Sequence, residues 1–307
     1  MNQKRSLHRI SVRGFVRIKW DSMPRRVILH LRRHDVWQWT GLLFIVLLGN
    51  SWGFSSDLRF STVKREVVES RLKLVTRGND KRSDSLRHLF EESGCGGERL
   101  QVQKVPRAKL GNIVCTLPGR SDSLIVVGAH FDHAELGEGA VDNWSGAALL
   151  PSLLQAVSTQ PRNHTYIFIG FTDEEKGLVG SEFYASTLTH DQQNKVRAMV
   201  NLDSLGLAPT AIWLNRADPK LALALKVVAD SLKLPLLATN VDQVGSTDSV
   251  SFSQRKIPSI TIHSVNQQTW AILHSPNDKL AAVNTDAYFT TYRLVSAYLV
   301  YLDGLFE

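Results

Sequence analysis

Cysteine is scarce: this 307-residue sequence has two. That number excludes a small scaffold held together by a disulfide framework. Proline (10) and glycine (20) follow no period, which excludes collagen-like and low-complexity chains. No internal repeat is visible, so the chain is not a stacked array. Excess charge of one sign is missing from most of the chain: over 37–307, 26 Lys and Arg stand against 27 Asp and Glu. A nucleic-acid partner would need a basic face there, and none is expected. Hydrophobic residues make up 43% and charged residues 21%, which excludes disorder. The length suffices for one large domain or two small ones.

The formal charge of +7 resides at the start. Residues 1–36 carry ten basic residues and two acids, Asp21 and Asp35. Val36 to Ser56 then contains no charged residue, and its centre reads Leu42-Leu43-Phe44-Ile45-Val46-Leu47-Leu48. A bilayer-spanning helix takes about 20 residues. Trp37, Trp39 and Trp52 flank the run as interface aromatics do. The pattern predicts a basic cytoplasmic arm over 1–35, a transmembrane anchor or cleaved signal segment over 36–56, and an exported body over 57–307. A secreted body is the alternative, if the segment is cleaved.

Within the body, apolar spacing predicts helices over 61–77 and 83–92. Short strands are expected at 100–105, 111–117 and 124–129. Strands and helices then alternate: helix 146–158 with Pro151 as a possible kink, strand 165–171, helix 180–188, strands 196–202 and 211–214, helix 219–233, strand 257–263 and helix 286–302. The pattern implies an α/β three-layer sandwich, with a mostly parallel mixed sheet and helices on both faces.

Such sheets bind ligands at the carboxyl ends of their strands, and there the chemical residues gather. The 124–129 strand leads into Gly128-Ala129-His130-Phe131-Asp132-His133. A loop follows with Val141-Asp142-Asn143-Trp144-Ser145-Gly146. The next strand runs into Asp173-Glu174-Glu175-Lys176-Gly177, and the one after ends in Asn201-Leu202-Asp203-Ser204. His274-Ser275-Pro276-Asn277-Asp278 comes near the C-terminus. Adjacent glutamates at an apolar strand end repel each other and lose hydration unless cations meet them. A pair of divalent metals resolves that conflict.

These motifs, in this order over about 112–278, resemble the bacterial leucyl aminopeptidase family of co-catalytic di-zinc exopeptidases. The resemblance implies that 57–307 is a di-zinc peptidase catalytic domain acting on peptide substrates. It implies two Zn2+ per chain, with Co or Mn as substitutes. His130 and Asp203 would bind one ion, Glu175 and His274 the other, and Asp142 would bridge both. Glu174 would be the general base, and Asp132 would orient His130. The family also carries a cis peptide after its bridging Asp, here Asp142–Asn143, and a supporting Asp, here Asp248. This sequence departs from the family at Ser249, where a His is usual, and at Leu273, where several members carry a Tyr that aids the oxyanion.

Rival readings remain at this level. His133 competes with His130, and His263 with His274. A carboxypeptidase would need a cation facing the substrate carboxylate, for which Arg216 and Arg255 are the candidates. A glutaminyl cyclase would share the sheet and keep one metal. A non-catalytic ectodomain would have no use for the ligands. Outside the cytoplasm Cys95 and Cys115 would pair, with two free thiols as the alternative. Oligomeric state is not readable.

Overall fold

A computed structural model describes residues 6–12, 56–242 and 245–306. In chain order its elements are β1 (Ser6–Val12), β2 (Ser56–Thr62), α1 (Arg65–Leu72), α2 (Asn79–Glu92), β3 (Leu100–Gln103), β4 (Asn112–Leu117), β5 (Leu124–His130), α3 (Ser145–Ser158), β6 (Thr165–Phe171), α4 (Val179–Thr187), α5 (His190–Lys195), β7 (Val196–Leu202), β8 (Ala211–Ile212), α6 (Pro219–Leu232), β9 (Leu237–Ala238), α7 (Ser249–Ser253), β10 (Ser259–His263) and α8 (Thr285–Leu305).

Eight strands form one mixed sheet in the order β3-β4-β6-β5-β7-β10-β8-β9. Its centre, β6-β5-β7-β10, is parallel. Strand β4 runs antiparallel to β6, and β8 antiparallel to β10. Side-chain alternation lays down the layers. On β6, Tyr166 and Phe168 join the core with Leu86 of α2, Leu149 of α3, Leu225 of α6 and Tyr298 of α8. Ile167, Ile169 and Phe171 face the other way, onto Tyr184 of α4 and Phe252 of α7. Each such side chain contributes about 1.5–3 kcal/mol by leaving water.

Helix α3 is buried from Ser145 through Val157, as a helix apolar all round must be. It runs through Pro151 as one 14-residue element. Helix α6 starts at Pro219, with Asp218 accepting hydrogen bonds from Lys220 N and Leu221 N. Asn284 caps α8 in the same way, through Asp286 N and Ala287 N. Cys95 and Cys115 form a disulfide that ties the turn after α2 to β4.

Differences from the sequence expectations have local causes. The helix expected over 61–77 covers only Arg65–Leu72, because Ser61 and Thr62 pair with β1. Asn79 and Asp80, expected as a turn, open α2 instead. Helices α5 and α7 and strands β1, β2 and β9 were not expected; none exceeds seven residues, too short to show a period.

The described residues touch the N-terminal expectation only at its edges. Nearly all of segment 36–56 lies outside the described residues, and so does most of the arm 1–35. Among the described residues, no helix is long and apolar enough to cross a membrane. Strand β1, expected in a cytoplasmic arm, is antiparallel to β2, with Val12 opposite Ser56. The ribbon packs on the body, β2 against α8 and α3 and β1 against α6. A single crossing between residues 12 and 56 would put these strands on opposite sides of a bilayer. The pairing places them together.

One anchor of the fold invites a stability test. Near the end of α8, Asp303 accepts hydrogen bonds from Asn163 N at 2.8 Å and His164 N at 3.1 Å. Burial would raise its pKa, but the bonds from His164 and Asn163 outweigh that and hold it below the ordinary Asp value. Asp303→Ala should destabilise by about 1–3 kcal/mol, because it strands these donors. A depressed carboxylate stabilises above its unfolded pKa and stops doing so as pH falls through its folded pKa. The wild-type advantage in thermal melts should therefore be full at neutral pH and fade in acid.

Candidate metal centre

The parallel strands converge their carboxyl ends on one rim. β5 ends at His130, β6 runs into Thr172–Glu175, β7 into Asp203, and β10 ends at His263. Asp142 arrives from the turn before α3, and His274 from the loop before α8. The Asp142–Asn143 peptide is cis.

Asp142 sits between two groups, one on each carboxylate oxygen. Its Oδ1 lies 3.3 Å from His130 Nε2, which is also 3.7 Å from Asp203 Oδ1. Its Oδ2 lies 3.1 Å from His274 Nε2, itself 3.1 Å from Glu175 Oε2. In each group, His130–Asp142–Asp203 and Asp142–Glu175–His274, one donor atom per residue lies within 4.8 Å of the others. His130, Glu174 and Glu175 form a third group as compact.

Supporting hydrogen bonds aim these donors. Asp132 receives Glu174 N at 3.1 Å and Glu175 N at 3.3 Å on its two carboxylate oxygens. His130 Nδ1 is 3.2 Å from the Asp132 main-chain oxygen and 3.4 Å from its Oδ1. That arrangement leaves Nε2 to face Asp142. Thr247 Oγ1 donates to Asp203 Oδ2 at 2.8 Å. Asp278 receives Val141 N at 2.7 Å and Asp142 N at 3.0 Å. Asn143 Oδ1 receives Gly146 N and Ser204 N, and its Nδ2 donates to Leu202 O.

Donor chemistry and charge fit a pair of divalent ions. Imidazole nitrogen and carboxylate oxygen are the ligands zinc takes. Burial first, and then the charges of Asp248, Asp203 and Asp142, push Glu174 up to about 10, against the pull of His130. Hydrogen bonds to Asp142 and Glu175 push His274 up to about 11. Burial pushes Asp248 up to about 7, against the pull of His130 and Ser181. Crowded carboxylates of this kind hold protons until a cation replaces them.

The rival histidines are turned elsewhere. His133 Nε2 bonds Arg77 O at 2.6 Å, and Nδ1 bonds Ala134 O. His263 Nδ1 accepts Val265 N at 3.1 Å, and its Nε2 is 3.3 Å from Thr239 O. Burial lowers the pKa of His263, so it sits neutral with both nitrogens used. Ser249, at the departure from the family pattern, is buried and receives Thr261 Oγ1 at 2.8 Å. Leu273 lines the cleft.

That cleft has a volume of about 260 Å³. Its lining combines His130, Asp142, Glu174, Glu175, Asp203 and His274 with the apolar Leu178, Trp213, Val241, Val265 and Leu273, and includes the His263 side of β10. Among its described lining residues there is no Lys or Arg. Arg216 is engaged by Asp242 at 2.8 Å, and Arg255 by Glu182.

Sequence reasoning passed over Asp278, Thr247 and Asn143. Asp278 and Asn143 stand inside the quoted motifs, so their positions were a usable signal. Thr247 adjoins Asp248 in its motif, but nothing there points to Asp203, 44 residues away.

A parallel sheet with this donor set at its strand ends defines a metallohydrolase type of site. Residues 112–299 match the profile of Peptidase family M28, and the chain belongs to that family. Aminopeptidase Y of Saccharomyces cerevisiae is 29% identical over 203 residues, 61% of this chain and 38% of the yeast protein. Among solved structures, a zinc aminopeptidase from Bacillus subtilis aligns with TM-score 0.56 at 23% identity, covering 61% of this chain and 49% of its own. A glutaminyl cyclase from an Acidobacteriales bacterium aligns with TM-score 0.64 at 17% identity, covering 78% and 93%. At those identities the structural likeness concerns the fold. The chain spans no more than 40% of the length of the curated relatives it matches first.

Proposed function

We propose that this chain is an aminopeptidase that removes N-terminal residues from peptides with two zinc ions. The observation that carries this reading is Asp142, whose two oxygens each face a separate His–carboxylate pair. In this reading His130 and Asp203 would hold one ion and Glu175 and His274 the other, Asp142 would serve both, and cobalt or manganese could substitute. When bound, the metal pair supplies an acidified water and a polarised scissile carbonyl. The Glu174 carboxylate takes a proton from water and delivers it to the leaving amine nitrogen. Asp132 holds the His130 ring, and Asp248 backs the site.

Charge favours an amino over a carboxyl terminus. Among its described lining residues the cleft has no Lys or Arg to pair with a substrate's terminal carboxylate, as a carboxypeptidase would need. Residues 57–307 form the catalytic body in this reading, and the Cys95–Cys115 disulfide supports a location outside the cytoplasm.

The test uses the purified chain, with zinc counted, on free and N-blocked peptides with and without a chelator. About two zincs per chain and chelator-sensitive cleavage of free N-termini only is the expected result. Cleavage of blocked peptides from their C-termini would move the assignment to a carboxypeptidase. A second reading rests on size, since the chain covers nearly all of the glutaminyl cyclase. An N-terminal glutaminyl peptide separates the two: hydrolysis frees glutamine, whereas cyclisation frees ammonia and leaves the peptide uncut.

A further inference from the structure

Arg82, on α2, is the largest charged side chain fully shut off from solvent among the described residues. Its hydrogen bonds go to main-chain carbonyls. Nε donates to Thr76 O at 2.6 Å, and Nη1 to Phe131 O at 3.0 Å. Nη2 donates to Gly139 O at 2.9 Å and to Glu138 O. The guanidinium also lies 5.8 Å from the centre of the Trp144 ring.

Those carbonyls are not scattered. Phe131 stands between His130 and Asp132, and Gly139 stands three residues before Asp142. One planar fork therefore spans the two loops that deliver His130 and Asp142. Gly139 is shaped to permit it: its φ is +58°, and a Cβ there would fall 2.7 Å from Arg82 Nη2. A guanidinium presents five donors in fixed directions, which an ammonium does not. Burying that charge away from any hydrogen-bonded carboxylate is costly. The nearby charges of Asp278, Asp132, Asp142 and Glu175 offset part of the cost.

We propose that Arg82 is a positioning residue, which clamps the 131 and 138–139 carbonyls so that His130 and Asp142 keep metal-binding spacing. The proposal rests on the two-metal reading above. It assigns to the N-terminal helical segment a part in the site, although that segment lies outside the family match at 112–299.

Arg71 provides a matched control. It is also buried, yet it bonds Ser93, Ser152 and Gln155 rather than the ligand loops. The experiment compares full-length wild type, Arg82→Met, Arg82→Lys and Arg71→Met. Zinc affinity is measured by competition with a chromogenic chelator, and the d–d spectrum is recorded with cobalt as probe. Loss of a residue that orients metal ligands typically weakens metal binding about 10–100-fold. Arg82→Met should show a loss of that size, an altered cobalt spectrum, and a fall in kcat larger than any change in KM. Arg82→Lys should recover only part of the loss, because one ammonium cannot reach all the carbonyls.

Arg71→Met should lower the melting temperature while keeping wild-type zinc affinity. If Arg82→Met does not fold, Arg82→Lys carries the test together with Arg82→Ala in millimolar guanidinium; restored zinc affinity with the added ion supports the clamp. Wild-type zinc affinity and cobalt spectrum in Arg82→Met or Arg82→Lys, with only a lower melting temperature, would overturn it. Failure of the wild type itself to bind zinc would instead remove the two-metal reading.

Discussion

Glu174→Gln is expected to lower kcat by about 10²–10⁴-fold, the usual contribution of a positioned general base. Zinc content should stay at the wild-type level. The side chain lines the cleft beside the donor groups. Its main-chain N–H, which bonds Asp132, is untouched by the substitution, so the turn that presents Glu175 survives. An amide of the same shape cannot take up the proton. Steady-state kinetics with elemental analysis decide the matter. Retained activity would remove Glu174 from the role. Lost zinc would make it a ligand instead, as its compact grouping with His130 and Glu175 allows.

Asp142→Asn should remove more than activity. A carboxylate offers an oxygen to each side; an amide offers one oxygen and one NH2 group, which donates and cannot ligate. One of the two His–carboxylate pairs then loses its third donor. Zinc should fall from about two per chain to about one or fewer. The rate should drop by more than about 10²-fold, the upper range for residues that merely support ligands. Two zincs retained in Asp142→Asn would show that this residue does not bridge. Calorimetric titration of the metal-free protein reads the stoichiometry directly. The contrast with Glu174→Gln is diagnostic: one keeps the metals and loses the rate, the other loses both.

Much of the fold was legible because its signals are local. The run 165–171 alternates side chains between two cores, and a strand of that composition has nowhere to lie but inside a sheet. The Asp-Pro at 218–219 marks a helix start by capping chemistry alone. Short elements were missed for the converse reason. The five residues of α7 and the two of β9 hold no periodicity, and only their neighbours stabilise them. The β1–β2 ribbon pairs residues 44 or more positions apart along the chain, and nothing in either strand announces the other.

The candidate site divides in the same way. Residue types at strand ends, the adjacent glutamates and the order of the motifs are properties of the sequence. The glutamate pair at an apolar strand end pointed to a cation, and the order of the motifs, through the family resemblance it carries, named His130, Asp132, Asp142, Glu174, Glu175, Asp203 and His274 as candidates. What the sequence could not decide is which ring faces Asp142. His130 and His133 are three residues apart, and main-chain partners turn the second away. Nor could it show that the two oxygens of one carboxylate divide between two groups, or that Asp278, Thr247 and Arg82 hold the loops that make this so. The bonds that join these three to Val141 N, Asp203 and Phe131 O link residues 44 to 137 positions apart, and only the folded sheet brings them within hydrogen-bonding reach.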